Sequence, residues 1–78
     1  MAMEKNRSSY YKTTYFVYCI NKFAAKYKLS AKDSFNYLHK FGGMLFLDEF
    51  YDVEHLLSFN DAVEDLTLVC KNNGGYLQ

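Results

Sequence analysis

The chain contains no proline, and its four glycines fall in two pairs, Gly42-Gly43 and Gly74-Gly75. A polypeptide this poor in breakers has few places to turn tightly, so it favours helices over a turn-rich β fold. Between the stops, apolar residues recur with helical spacing. Phe16, Ile20, Phe23, Ala24 and Tyr27 form one stripe of a 3.6-residue period, and Tyr11, Tyr15, Tyr18 and Cys19 widen it. A strand over TTYFVYCI competes on its β-branched and aromatic content. The helix is preferred because NKFAAKY continues the period with no turn signal.

Three further helices follow from the same logic. KLSAKDSFNYLHKFGG has Ser30 as N-cap, Asp33 three residues on, Phe35, Leu38 and Phe41 as its inner side, and Gly42-Gly43 as its stop. MLFLDEFYDVEH reads as a third helix of about three turns, with Phe46, Leu47, Phe50 and Tyr51 on its apolar side. LLSFNDAVEDLTLVCKNNGG contains a fourth, capped by Ser58 or Asn60, with a Phe59, Val63, Leu66, Cys70 stripe and a left-handed stop at Asn73-Gly74-Gly75. The expected fold is all-α, a compact bundle of about four short helices. Residues 1–8 are expected as a frayed polar start and residues 9–78 as a single helical domain.

Seventy-eight residues make one small domain, which buries only about 60% of its unfolded surface. Seven Phe and eight Tyr, with no Trp, supply much buried area per residue and leave rings over for the surface. Cys19 and Cys70 have no CxxC spacing, and the polar start MAMEKNRSSYYK lacks an apolar signal core. Both cysteines are expected as small core hydrophobes in a cytoplasmic protein. The longest apolar run is far short of a membrane span, so no membrane role is expected.

The charge is zero overall but polarised. Residues 1–40 hold eight basic and two acidic side chains, +6; residues 41–78 hold one basic and seven acidic, −6. Either the halves attract each other weakly on folding, or the two-faced surface orients a partner.

The acidic half concentrates in FLDEFYDVEH. Asp48, Asp52 and His55 fall at i, i+4 and i+7 of a helix, with Glu49 beside them. A transition metal takes such ligands, yet HExxH is absent and His39 is the only other histidine. A carboxylate pair for acid/base work needs a cleft to raise one pKa. No GxSxG elbow or phosphate loop is present. No catalytic residue and no cofactor are therefore assigned. The basic half offers Lys22, Lys26, Lys28 and Lys32 to nucleic acid, with the first two helices as a possible helix-turn-helix. Arg7 is the sole arginine and Asn36 the one base reader on the second helix, which weakens that reading.

The Tyr/Phe-rich first helix, KLSAKDSFNYL, FLDEFYDVEH and DAVEDL together resemble the small bacterial proteins grouped as the domain of unknown function 3791 family, over roughly Tyr15 to Gly75. Members of that family are often encoded beside proteins resembling ADP-ribosyltransferases. The resemblance implies an antitoxin-like or accessory partner of such an enzyme, and it carries no catalytic residues across. The residues themselves point the same way: surplus aromatics and an acidic half suit a protein-binding module or a homodimer. The interface candidates are Asp48, Glu49, Asp52, Glu54 and His55, with Tyr10, Tyr11 and Tyr18 as aromatic anchors. The alternatives are a small DNA-binding regulator using the four lysines, and a metal-dependent enzyme at Asp48, Asp52 and His55.

Overall fold

The computed structural model describes the backbone of residues 2–77 and the side chains of residues 10–77. Of the residues expected as a frayed start, 1–8, Met1 lies outside the described residues and the backbone of 2–8 forms the beginning of α1. Five helices and no strand are present among the described residues: α1 (Ala2–Tyr27), α2 (Ala31–Lys40), α3 (Gly43–Glu49), α4 (Tyr51–Glu54) and α5 (Phe59–Asn72). The all-α bundle is as expected, except that the third helix is broken in two at Phe50.

Local chemistry explains the boundaries. The Ser30 hydroxyl oxygen accepts the Asp33 N–H at 3.0 Å, and the Ser58 hydroxyl oxygen accepts the Asp61 N–H at 3.1 Å. Each satisfies one backbone donor that a helix start otherwise leaves unpaired. α1 ends without a glycine: Lys28 takes φ 57° and the Leu29 N–H reaches back to the Ala24 carbonyl at 2.8 Å. α5 ends the same way with a better residue, Gly74 at φ 100°, as the Gly75 N–H reaches the Cys70 carbonyl at 2.7 Å. Gly42, at φ 82°, turns α2 into α3.

α1 forms the spine. Cys19, Phe23, Leu38, Leu47, Ala62, Leu66 and Cys70 are fully buried and draw on α1, α2, α3 and α5. α5 runs alongside α1 in the same direction: Phe59 meets Tyr15 and Tyr18 near its start, and Tyr27 donates a hydrogen bond to the Thr67 hydroxyl at 2.7 Å further along. α2 packs on α1 through the Ser34 hydroxyl, which donates to the Ile20 carbonyl at 2.8 Å, and through Tyr37 stacked on Phe23. The Tyr37 hydroxyl then accepts the Leu77 N–H at 3.0 Å and holds the C-terminal segment.

The inner face of α2 corrects the sequence expectation. Ser34, Tyr37 and Leu38 face inward, while Phe35 stands exposed against His39. The α1 stripe is likewise centred on Tyr15, Cys19 and Phe23, leaving Tyr11 and Tyr18 outside. On the third helix, Leu47 is buried but Phe50 is exposed, because the chain leaves helical geometry at Phe50 (φ −109°, ψ 24°).

Candidate protein-interaction surface

The segment from α3 to the start of α5 carries the densest run of exposed apolar side chains. Leu45, Val53 and Leu56 are more than half exposed, and Phe50 and Leu57 are more than a third exposed. Scattered exposed apolar residues are ordinary; five large ones within thirteen residues are a local concentration of exposed apolar surface. Helix geometry produces it. Leu47, Tyr51 and Glu54 turn inward at i, i+4 and i+7, so the residues between them turn out. Tyr51 anchors the segment, meeting Tyr15 and Phe16 of α1 edge-on at 5.5 and 6.4 Å.

Acidic residues are interspersed with these apolar side chains. Asp48, Glu49 and Asp52 are exposed. Lys12 of α1 pairs with Asp48 at 2.6 Å and also sits over the Tyr51 ring, 5.6 Å from its centre. It is the only ion pair among the described residues. Among the described residues the opposed charges of the two halves are therefore little consumed by internal pairing, and Glu49 and Asp52 are exposed.

His55 is exposed but engaged locally. Its Nδ1–H donates to the Tyr51 carbonyl at 2.7 Å, and its ring stacks on Tyr51 at 4.6 Å. Asp48, Asp52 and His55 do not converge, and among the described residues no group of three or more His, Cys, Asp or Glu side chains could hold a metal ion.

Glu54 corrects the sequence expectation most sharply. Expected on the solvated acidic face, it is only 5% exposed and lies inside, beside Asp65 of α5 and near Tyr15 and Cys19 of α1. Its Oε1 and the Tyr15 hydroxyl are buried with no hydrogen-bond partner among the described residues. Burial, followed by the Asp65 carboxyl beside it, pushes the Glu54 carboxyl up to about 7. Burial, then Cys19 and the charge of Glu54, push the Tyr15 hydroxyl far above the usual tyrosine range. Burial raises both thiols, Cys19 and Cys70, to about 11, so neither is a ready nucleophile.

Tyr10, Tyr11 and Tyr18 are each more than half exposed. Tyr10 and Tyr11 pair edge-on at 5.8 Å, and Tyr18 leans on Phe59 at 5.7 Å while keeping an open face. Tyr18 thus borders the start of α5, whereas Tyr10 and Tyr11 precede Tyr15, the first buried residue of α1 among those whose side chains are described. Among the lysines, Lys22 and Lys26 line a groove of about 570 Å³ between α1 and α5, shared with Asn60, Val63 and Glu64. The Glu64 carboxylate weakens that groove as a phosphate site. Lys28 occupies the left-handed turn after α1, and Lys32 is exposed in the first turn of α2. No helix among the described residues is long and apolar enough to cross a membrane.

No curated protein and no solved structure matches the chain. A family model described as Protein of unknown function (DUF3791) matches residues 14–73, which takes in the whole α3–α4 face, and the chain belongs to that family.

Proposed function

We propose that the protein is a small protein-binding module that docks its α3–α4 face on a basic site of a partner. One observation carries this reading: exposed Leu45, Phe50, Val53, Leu56 and Leu57 are interspersed along one segment with the exposed acids Asp48, Glu49 and Asp52, of which Asp48 alone is paired among the described residues, with Lys12. Apolar anchors at the centre of a contact with charges at its edge are the arrangement that gives affinity and orientation together. Tyr18 extends this surface, and Asp48, Glu49 and Asp52 steer it. An isologous dimer through this face sets like charges against each other, so a basic partner fits better than a second copy. The accessory form of this reading, an antitoxin-like partner of an ADP-ribosyltransferase-like enzyme, rests on what the family resemblance implies. Binding of duplex DNA by Lys22, Lys26, Lys28 and Lys32 has less support, because Glu64 shares the groove of the first two.

Copurification with the product of a neighbouring gene, an ADP-ribosyltransferase-like enzyme on the reading above, tests the proposal. Val53→Asp with Leu56→Asp is expected to lower recovery of the partner at least tenfold with helical content unchanged. Undiminished recovery removes this face from the interface.

A further inference from the structure

We infer that Glu54 is a proton-operated latch on α4: protonated, it keeps this four-residue helix seated against α1 and α5; ionised, it drives the helix off them. The inference does not depend on the proposed function.

The geometry makes α4 easy to release. It is one turn long, joined to α3 through the non-helical Phe50 and to α5 through the 55–58 connection. Only Tyr51 and Glu54 of α4 turn inward; Asp52 and Val53 are exposed. Tyr51 is half-buried, so Glu54 is the one deeply placed side chain of the element. A single interior group thus decides whether the turn stays docked.

The surroundings suit a neutral carboxyl and oppose a charged one. From α5, Asp65 faces Glu54; from α1, the Tyr15 hydroxyl and the Cys19 thiol do so. On its own segment the titratable neighbours are Tyr51 and His55, and the His55 Nδ1–H is committed to the Tyr51 carbonyl. No cationic side chain is among these groups. A protonated Glu54 donates its O–H to the Asp65 carboxylate, one proton serving two acids. Loss of that proton to solvent leaves two carboxylates facing each other, one of them buried without a counter-ion, and moving α4 into water is the cheapest relief. Because burial and Asp65 raise the Glu54 carboxyl to about 7, the change falls near neutral pH. Release uncovers Tyr15 and Cys19 and reorients Phe50, Val53 and Leu56.

The chain has no tryptophan, so Leu56→Trp in the full-length protein gives a unique fluorescent reporter at an exposed position. Its emission is expected to change sigmoidally with a midpoint near pH 7, while far-UV circular dichroism keeps most of its helical signal. Adding Glu54→Gln is expected to abolish the transition. Adding Asp65→Asn is expected to move the midpoint to lower pH, and this decides the matter if the glutamine variant does not fold. A flat profile from pH 5 to 9 overturns the latch. So does an unchanged transition in Glu54→Gln, which assigns the signal to another group, or an unmoved midpoint in Asp65→Asn.

Discussion

At the scale of single residues, Glu54 is where charge and position disagree. Its folded-state carboxyl is raised from the ordinary range to about 7 by burial and by Asp65, so between those values the folded protein holds more protons than the unfolded chain. Its contribution to stability is therefore full below about pH 4.5 and is lost as pH rises through about 7. The loss is at most about 3–4 kcal/mol, since each tenfold change in proton affinity is worth about 1.4 kcal/mol, and local release of α4 caps it lower. Urea unfolding at pH 5 and pH 8 is expected to show this loss in the native protein and not in Glu54→Gln. The burial was legible: Leu47, Tyr51 and Glu54 share one helix face, and only the habit of sending acids outward hid it. Ser34 and Phe35 were less legible. Both flank Leu38 on α2, and what decides between them is the Ile20 carbonyl of another helix, which accepts the Ser34 hydroxyl. No periodicity within α2 contains that information.

At the scale of helices, the stops and starts were mostly readable because they are local. Ser30 caps as its spacing to Asp33 implies, Ser58 rather than Asn60 caps α5, and Gly42 and Gly74 take the left-handed conformations their positions demand. Two boundaries were not readable. The break at Phe50 serves the docking of Tyr51 on Tyr15, a contact between distant parts of the chain. The turn after α1 places Lys28, which has a Cβ, at φ 57° with the hydrogen-bond pattern of a glycine stop. An L-residue in this region carries a cost of about 1 kcal/mol that glycine does not. Lys28→Gly is therefore expected to stabilise the protein by about 0.5–1 kcal/mol, less than the full strain because glycine also loosens the unfolded chain. A rise in the urea midpoint with unchanged slope is the expected record; a fall means that Lys28 makes a compensating contact.

At the scale of the whole molecule, the polarity of charge along the chain survives folding. One ion pair, Lys12 with Asp48, joins the two halves among the described residues, and an exposed pair contributes about 1 kcal/mol or less. Among the described residues internal attraction between the halves is therefore small, and Glu49 and Asp52, which stay exposed, are open to a partner on the proposed reading. Exposed charges act over about 8–10 Å at physiological ionic strength, so they govern the approach of a partner more than the final contact. The apolar side chains between them act only once water is excluded, so they govern departure. The two sets of residues should then separate kinetically. Glu49→Lys with Asp52→Lys is expected to slow association with a basic partner about tenfold at low salt and to flatten its salt dependence, leaving dissociation nearly unchanged. Val53→Ala with Leu56→Ala is expected to speed dissociation by a similar factor at any ionic strength. Stopped-flow or surface-binding kinetics at 50 and 300 mM salt resolve the two. Equal effects of both pairs on the dissociation rate mean that the acids are buried in the contact, and the division of labour between rim and centre is then wrong.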